Sequence, residues 1–259
     1  MEADPGSVES RIVGADRVLA VLVKLAAYPH GTSLVDLANA LGSPKPTVHR
    51  ALASLKRAGL ASQIGRGTYI LGDEFFRLAF QNHAERPGSA RVLPILEALS
   101  ARYGETAHYA VLDGADVVYR AKTDPSGGAV RLSSAVGGRN PAYRTAVGKL
   151  LLGDLVTDRM ELLELLGSAA LEQRTPSTIT DLGRLWDELQ ATRARGYALD
   201  AQENEVGVNC LAVRSSERAG LPGAISVSAL AFRTPLSRLE DEVPMIREIV
   251  RRESAIHAG

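Results

Sequence analysis

Two short helical patterns separated by a glycine turn lie between residues 33 and 60, and they constrain the fold more than any other feature. The first has apolar residues at i, i+3, i+4 and i+7, which are Leu34, Leu37, Ala38 and Leu41. Gly42 follows, where a left-handed residue commonly ends a helix. Pro44 and Pro46 come next, and proline is tolerated in the first turn of a helix. The pattern predicts a helix-turn-helix whose second helix packs Val48, Leu52 and Leu55 inward.

A hairpin is predicted directly after the second helix. Gly59 closes the helix, residues 60–64 alternate as a strand, and residues 69–71 form the returning strand. Gly65, Arg66 and Gly67 lie at the turn between the strands. A helix-turn-helix followed by a hairpin is typical of a winged helix-turn-helix, which places its second helix in the major groove of DNA.

The charge of this region favours contact with nucleic acid. No acidic residue lies between Asp36 and Asp73, whereas the interval holds five basic residues, Lys45, Arg50, Lys56, Arg57 and Arg66. The whole chain has 30 basic and 30 acidic residues, so the asymmetry is local. Because carboxylates would repel a phosphate backbone, their absence favours DNA binding over a merely solvated helix face.

Position on the second predicted helix suggests a role for each polar residue. Arg50 lies opposite the apolar stripe and is the best candidate for a bidentate contact with a guanine edge. We expect Lys45 at the helix start to contact a phosphate, and Arg66 at the wing tip to contact a phosphate or the minor groove. The remaining candidates are Ser43, Thr47, His49 and Arg57. For Arg57, a purely solubilising role fits equally well.

Length and composition limit which other classes of protein the chain could belong to. The 259 residues are enough for two domains, no apolar run could span a membrane, and residues 1–10 are polar and acidic rather than a signal peptide. The single cysteine, Cys210, excludes a disulfide framework or a thiolate zinc cluster within the chain. The five histidines show no metal-ligand spacing. We therefore expect a cytoplasmic protein without a metal or other cofactor.

The apolar patterns divide the chain into four parts. Residues 1–10 are expected to form a disordered tail, and residues 11–73 the winged helix-turn-helix domain. Residues 74–90 are expected to form a linker helix and hinge. The unusually apolar stretch 75–80 suits packing on a partner subunit as well as on its own domain. Residues 91–259 form the second domain.

The second domain is predicted to combine short strands with separate helices. Strands are predicted at residues 106–112, 117–121, 130–136, 211–214 and 223–230. Helices are predicted at residues 92–102, 145–155, 158–166, 180–195 and 237–257, with Thr180 as an N-cap and Pro244 restricting the last helix. The predicted class is α+β, with a winged helix-turn-helix domain, a linker helix and a mixed C-terminal domain with an antiparallel sheet, rather than a doubly wound fold.

Three segments give the chain a family resemblance. Residues 44–50 (Pro-Lys-Pro-Thr-Val-His-Arg) resemble the start of a known recognition helix, and residues 145–152 resemble a helix that follows sensor-domain glycines. The most specific segment is 196–212, in which the spacing of Gly196, Asp200, Glu203 and Cys210 follows a family signature. Residues 223–228 come next, in the same order as in the family. By these motifs the chain resembles the IclR-type transcriptional regulators from about residue 11 to residue 257.

The resemblance implies a dimeric or tetrameric regulator that binds a palindromic or pseudo-palindromic double-stranded DNA operator. It also implies a small-molecule pocket in the C-terminal domain, since family effectors are often small carboxylates or aromatic acids. Carried over by position, the pocket residues are Ala146, Val147, Gly148, Asp200, Cys210, Ser226 and Ser228. Unpaired amides at a helix start favour a carboxylate, and serines two apart on a strand share a face. A solvent-facing strand edge is the alternative for the two serines.

The segment Ala142-Tyr143-Arg144 departs from the Leu-His-Ala that many relatives carry before this helix. Arg144 could add a bidentate clamp on a carboxylate, or it could equally point to solvent or across a subunit interface. Tyr143 and Arg144 are therefore candidate pocket residues, and the effector cannot be inferred from a relative with the histidine. Pro46 likewise replaces a more usual serine, so a side-chain cap of the second helix is lost.

Other interpretations of the same residues are weaker. Cys210 beside Asp200 could suggest a nucleophile or a redox sensor, yet no suitably placed histidine or second cysteine accompanies it, and a lone cysteine in an apolar strand is usually a small buried hydrophobe. Glu203 and Glu205 are more typical of helix-cap or solvent groups than of an acid/base pair. Lys149 lacks the upstream glycine of a phosphate-binding loop.

Two functional hypotheses remain. The first is a DNA-binding regulator, expected to be a repressor without enzymatic activity, whose operator affinity is gated by a small-molecule effector. The second is a ligand-binding or catalytic C-terminal domain merely tethered to DNA, or a redox sensor acting through Cys210. They differ in whether a ligand changes operator affinity, and a genuine switch typically couples the two sites by about 1–3 kcal/mol.

Overall fold

The computed structural model describes residues 14–84, 89–127, 132–167, 170–215 and 222–256. The chain forms two compact units, Met1–Glu85 and Arg86–Gly259. Among the described residues, the helices are all too short or too polar to cross a bilayer. The expected tail at residues 1–10 and the expected hinge residues 86–88 lie outside the described ranges.

The N-terminal unit is a winged helix-turn-helix, as predicted. Its elements in chain order are α1 (Ala15–Ala26), β1 (Thr32–Ser33), α2 (Leu34–Ala40), α3 (Lys45–Arg57), β2 (Ala61–Ile64), β3 (Thr68–Leu71) and α4 (Asp73–Ala84). The three strands form an antiparallel sheet in the order β1-β3-β2. This order makes β2 and β3 the predicted hairpin, with Ile64 opposite Thr68 at its tip.

Local chemistry explains the helix-turn-helix. Gly42 has φ 56°, which glycine adopts without steric cost, and the next amide, of Ser43, donates to the Ala38 carbonyl at 3.0 Å. Within α3, the predicted inward residues Val48, Leu52 and Leu55 are buried. The N-cap of α3 is Pro44, which forms no side-chain cap, and Pro46 lies within the first turn, so the expectation that the cap is lost at Pro46 is wrong about the position.

The C-terminal unit has an antiparallel six-stranded sheet in the order β6-β5-β4-β9-β8-β7. Its strands are β4 (Thr106–Asp113), β5 (Asp116–Thr123), β6 (Arg139–Pro141), β7 (Ala198–Ala201), β8 (Val208–Arg214) and β9 (Ala224–Leu230). Its helices are α5 (Ser89–Tyr103), α6 (Ala146–Leu155), α7 (Arg159–Leu166), α8 (Leu182–Arg195), α9 (Leu236–Asp241) and α10 (Val243–Ile256). The predicted α+β class with an antiparallel sheet is confirmed.

Two apolar cores hold helices against this sheet. One core joins α5 and α10 to inward residues such as Leu211 and Val227. The other core joins α6 and α8 to residues such as Ala212 and Ala224. Because neighbouring strand residues point to opposite faces, the two helical layers cover opposite faces of the sheet. The start of α6 therefore faces the strands that carry the predicted pocket residues.

The strand predicted at residues 130–136 is wrong where the structure describes it, because residues 132–136 form no strand and β6 begins only at Arg139. Residues 130 and 131 lie outside the described ranges. The Lys122 ammonium donates to the carbonyls of Leu132 at 3.1 Å and Ser134 at 2.8 Å. These carbonyls therefore accept hydrogen bonds from a side chain rather than from a neighbouring strand, and the segment forms a loop.

Helix ends differ from the prediction at two places. The N-cap of α8 is Asp181 rather than Thr180, because the Asp181 carboxylate accepts a hydrogen bond from the Arg184 amide at 2.8 Å. The single closing helix predicted at residues 237–257 is two helices, α9 and α10, separated at Glu242. Pro244 lies in the first turn of α10, where its missing amide hydrogen costs no helical hydrogen bond.

Candidate functional site

Exposed cations mark the candidate DNA-binding surface of the N-terminal unit. Lys45, His49, Arg50 and Arg57 are exposed on α3, and Arg66 is exposed at the hairpin turn, whereas Ser43 and Thr47 are half-buried. Val48 and Leu52 point to the core on the opposite side of the same helix. The predicted candidates thus lie on the outer side of α3 and at the tip of the wing.

Hydrogen bonds separate these cations into two groups. The Arg57 guanidinium donates to Ser54 Oγ at 2.9 Å, and Lys56 Nζ donates to Gln63 Oε1 at 2.9 Å. The side chains of Lys45, Arg50 and Arg66 make no hydrogen bond or ion pair with any residue that the structure describes. The latter three retain their full capacity to bind phosphate or a base edge.

A cavity of about 570 Å³ in the C-terminal unit lies between the sheet and the start of α6. Its strand wall includes His108, Tyr119, Asp200, Cys210, Ser226 and Ser228, together with Val208 of β8 and Arg139 and Asn140 of β6. Strand pairing sets Asp200 opposite Cys210, Cys210 opposite Ser228, and Ser226 opposite His108. Directly opposed residues of antiparallel strands share a face, so these side chains converge on one space.

The second wall of the cavity includes the first turn of α6. Thr145 is the N-cap, and its hydroxyl accepts a hydrogen bond from the Gly148 amide at 3.0 Å. Thr145, Ala146 and Val147 line the cavity. A helix start combines unpaired amide groups with the positive end of the helix dipole, which suits an anionic ligand group.

Seven of the nine predicted pocket residues line this cavity: Arg144, Ala146, Val147, Asp200, Cys210, Ser226 and Ser228. Tyr143 and Gly148 are not among the lining residues. The Tyr143 hydroxyl donates to the Glu172 carbonyl at 2.6 Å, and Gly148 packs against the backbone of Ala142. The alternative of a solvent-facing edge for the serines is wrong, because both are buried on β9, which lies within the sheet.

Arg144 is buried, with 8% of its surface exposed, so the alternative that it points to solvent is wrong. Its Nε donates to Asn204 Oδ1 at 3.0 Å, and its Nη1 donates to Glu172 Oε2 at 2.8 Å. The remaining terminal nitrogen, Nη2, has no partner among the residues that the structure describes. Arg144 is therefore held rigidly beside the start of α6 with one donor group to spare.

Sequence reasoning missed most of the other lining residues, among them His108, Tyr119 and Arg174. His108 lies between two serine hydroxyls, 2.8 Å from Ser134 and 3.3 Å from Ser228, and its ring is 4.9 Å from that of Tyr119. Arg174 lies on the cavity wall next to Thr175. The alternation of β4 could have shown that His108 shares a face with Thr106 and Ala110, but it does not show which face meets the cavity.

Burial determines the protonation states of the titratable residues on the strand wall. Loss of hydration raises the pKa of Asp200 to about 7, against the opposing effect of the Lys149 cation. Burial lowers the pKa of His108 to about 3 and raises that of Tyr119 to about 12, so both are neutral near pH 7. Burial also raises the pKa of the Cys210 thiol, which disfavours the thiolate needed by a nucleophile or a redox sensor.

Of the two glutamates in the turn after β7, Glu203 differs from expectation. Glu203 is buried and forms an ion pair with Lys149, so its expected cap or solvent role is wrong. Glu205 lines the cavity and accepts a hydrogen bond from Ser133 Oγ at 3.1 Å. In the described part of the chain, no group of three or more potential ligands is arranged to hold a metal ion.

Sequence comparison decides the family. The profile of the C-terminal domain of bacterial IclR transcriptional regulators matches residues 89–255, and that of the IclR helix-turn-helix domain matches residues 14–65. The chain belongs to the IclR family. The IclR-family assignment identifies the N-terminal unit as the DNA-binding part of a transcriptional regulator, and its relatives are regulators rather than enzymes.

Individual relatives resemble the chain over most of its length. The transcriptional repressor IclR of Escherichia coli is 30% identical over 232 residues, which cover 87% of this chain and 81% of that protein. A regulator from Rhodococcus sp. RHA1 is 28% identical with a TM-score of 0.76, over 93% of this chain and 96% of that one. An IclR homologue from Microbacterium hydrocarbonoxydans, solved with 4-hydroxybenzoate, shares the fold at 24% identity and a TM-score of 0.74, over 92% and 95% of the two chains.

Proposed function

We propose that the chain is a repressor whose operator affinity is set by a small organic acid bound in the cavity of the C-terminal unit. The observation that carries the proposal is the cavity beside the start of α6, which combines free amide donors with the buried guanidinium of Arg144. Hydrogen bonds to charged groups are stronger than neutral ones, and a guanidinium can bind a carboxylate in a bidentate manner. This wall therefore suits the carboxylate of an effector.

Two relatives support the finer parts of the proposal. The Escherichia coli protein named above is a repressor, and the Microbacterium hydrocarbonoxydans homologue was solved with an aromatic acid. We extend both properties to this chain as hypotheses. The proposed effector contacts are those of Arg144, Ala146, Val147, Asp200, Cys210, Ser226 and Ser228. Tyr143 and Gly148 would stabilise this site without contacting the effector. The Tyr143 hydroxyl bonds to the Glu172 carbonyl, and Gly148 packs on the backbone of Ala142.

The proposed DNA contacts follow from exposure and charge. Arg50 would read a base edge, and Lys45 and Arg66 would bind backbone phosphates or the minor groove. Ser43, Thr47 and His49 would add contacts near the start of α3, and Arg57 a weaker contact with the backbone. The recognition unit would comprise residues 11–73, the linker 74–90 and the effector domain 91–259.

A dimer is the smallest assembly that fits this function, because two recognition helices can then bind two half-sites of a palindromic operator. Exposed aromatic side chains on α4 support a partner surface, since Phe76 and Phe80 are 46% and 70% exposed. Effector binding would favour one arrangement of the subunits and thereby change the spacing of the two recognition helices. The switch needs only differential affinity of the acid for the two arrangements.

Fluorescence anisotropy with the full chain tests the proposal. The labelled DNA would be the region upstream of its own gene, with a scrambled duplex as the control, at several salt concentrations and with a panel of aliphatic and aromatic acids. We expect specific binding that one acid weakens about tenfold. Specific binding that no acid alters would contradict effector gating, and steeply salt-dependent binding without sequence preference would contradict the regulator itself.

A further inference from the structure

A cluster of charged side chains lies beside the cavity, where α6 and α8 meet β7 and the turn that follows it. Lys149 Nζ is 2.5 Å from Glu203 Oε1 and 3.8 Å from Glu188 Oε1, and Glu188 also pairs with Arg195 at 2.7 Å. Asp200, which is 2% exposed, completes the cluster. The cluster thus has three carboxyls and two cations, so ionisation of every member would leave a net negative charge in a buried place.

Asp200 is the carboxyl of this cluster that has no cation of its own. It makes no ion pair with any residue that the structure describes. Its carboxyl accepts hydrogen bonds from the amides of Glu203, at 2.6 Å, and Asn204, and it contacts the Cys210 thiol on the opposing strand. Burial without a paired cation, next to the Glu203 carboxylate, favours a protonated Asp200. The raised pKa of Asp200, about 7, agrees with this position in the cluster.

Arginines reach the cavity from other elements, but most of their charge is already paired. Arg144 pairs with Glu172, and Arg139 pairs with the acidic residues that flank the turn between β4 and β5. Arg174 lines the cavity and makes no ion pair among the residues of the described ranges. A carboxylate ligand would therefore compete with Asp200 for the little positive charge that remains.

The other titratable groups around Asp200 supply no positive charge. His108 and Tyr119, on β4 and β5, are neutral near pH 7, because burial lowers the pKa of His108 to about 3 and raises that of Tyr119 to about 12. Burial also raises the pKa of the Cys210 thiol, which keeps this neighbour neutral. Glu205, in the turn after β7, adds one more carboxyl to the cavity wall.

An acid effector would bring a further negative charge into the same cavity. In the proposed site its carboxylate pairs with Arg144 and the first turn of α6, while Asp200 lines the same space. Two carboxylates that share a buried site repel each other, and a proton on one of them removes the repulsion. Because the effector carboxylate is the one beside an arginine, the proton favours Asp200. A neutral Asp200 can then donate to the Cys210 sulfur or to the effector.

We propose that Asp200 takes up a proton from solvent when an acid effector binds, so that the effector anion and the proton enter the site together. The proton bonds to a carboxyl oxygen of Asp200, and the effector remains an anion beside Arg144. This inference rests on the proposed effector site and specifies how pH regulates it. A fall in pH strengthens effector binding, and a rise in pH weakens it, because only the bound state requires the proton.

Isothermal titration calorimetry of the full chain between pH 6 and pH 9 tests the inference. The probes are benzoate, phenylacetate, hexanoate and glycolate, which all stay ionised over this range. The Kd of an acid that binds should be nearly constant below pH 6.5 and should rise up to about tenfold per pH unit above pH 8. Titrations at pH 7.5 in two buffers of different ionisation enthalpy should show uptake of about 0.5–1 proton per bound acid.

The outcomes separate this inference from the proposed function. Binding with a Kd that does not change with pH and without proton uptake would overturn the inference and leave the effector site standing. If none of the four acids binds at any pH, the proposed effector site itself is contradicted.

Variants assign the proton to its residue. Asp200→Asn does not ionise, so its Kd should stay constant from pH 6 to pH 9 and its proton uptake should vanish. Glu205→Gln is the matched control, because it removes another carboxyl from the cavity wall and should retain the wild-type pH slope. A pH slope that persists in Asp200→Asn would place the proton on another group and overturn the inference.

A measurement on wild type covers the case in which Asp200→Asn does not fold or binds none of the acids. The chain would be labelled with ¹³C at its aspartate carboxyl carbons and titrated by NMR, without and with saturating acid. The Asp200 signal should titrate near pH 7 in the free chain and at least one pH unit higher with the acid bound. A titration midpoint that the acid does not move would overturn the inference.

Discussion

Lys149 and Glu203 form a buried ion pair, with Nζ 2.5 Å from Oε1, although they come from α6 and from the turn after β7. The two side chains are 1% and 6% exposed. The first turn of α6 and the turn that contains Glu203 both contribute walls of the cavity. The pair therefore joins two sides of the candidate effector site.

Removing one partner of this pair should strongly destabilise the C-terminal unit. Lys149→Met leaves the Glu203 carboxylate buried without its cation, at an expected cost of about 3–5 kcal/mol. Urea unfolding followed by the fluorescence of Trp186, the single tryptophan, reports this unit. Arg159→Ala is the control, because the Arg159–Asp187 pair is exposed and should contribute less than about 1 kcal/mol. Equal effects of the two substitutions would contradict the account.

Two glycines of α6 should respond differently to alanine. A Cβ at Gly148 would overlap the carbonyl oxygen of Ala142, whereas one at Gly153 would lie at ordinary contact distance, 3.4 Å from the Leu189 carbonyl oxygen. Gly148→Ala should therefore cost more than about 2 kcal/mol through strain. Gly153→Ala should be neutral or stabilise by up to about 1 kcal/mol, because alanine favours helix. Chemical unfolding of both variants measures the difference, and similar stabilities would show that Ala142 does not pack closely on α6.

The buried carboxyl of Asp200 should make stability depend on pH. Its pKa rises from 3.8 to about 7 on folding, so the folded chain binds this proton more tightly than the unfolded chain. The contribution is present below pH 3.8 and is lost as the pH rises towards 7. Between pH 4 and pH 7.5, wild type should lose about 2–4 kcal/mol more than Asp200→Asn, which does not titrate. Parallel profiles for the two proteins would contradict an Asp200 pKa near 7.

Arg50 and Arg66 should affect DNA binding in different ways. Arg50→Ala should cost about 1–3 kcal/mol on the operator and relax preference at one base pair. Arg66→Ala should weaken binding to all sequences alike and reduce the salt dependence by about one phosphate contact. Anisotropy on operator and scrambled duplexes distinguishes these patterns, with Arg184→Ala on α8 as the control. Intact specificity in Arg50→Ala would mean that α3 is docked differently.

Local periodicity was enough to predict the helix-turn-helix and the hairpin of the N-terminal unit, but not the short strand β1. The buried stripe of Val48, Leu52 and Leu55 follows directly from helical spacing, and Gly42 marks the turn because only glycine adopts its φ cheaply. The loop at residues 132–136 was predicted as a strand because its composition resembles one. Its actual conformation depends on Lys122, a distant partner that no local pattern reveals.

The sequence predicted some residues of the cavity and missed others for a similar reason. Asp200, Cys210, Ser226 and Ser228 were found because a family resemblance carried them over by spacing. His108 and the buried state of Glu203 were missed because both depend on which residues the sheet and α6 bring together. A polar residue on a strand has the same local pattern whether it meets solvent, a cation or a ligand cavity.

The central claim is that acid binding in the cavity changes affinity for DNA, and operator titrations across acid concentrations test it most directly. The acid would be the member of the aliphatic and aromatic panel that changes operator binding most, and Arg144→Gln would be measured beside wild type. We predict that saturating acid changes the operator affinity of wild type about 5–150-fold, and that Arg144→Gln needs more acid for the same change without altered affinity in its absence. An operator affinity that stays constant while calorimetry shows the cavity saturated would contradict the claim.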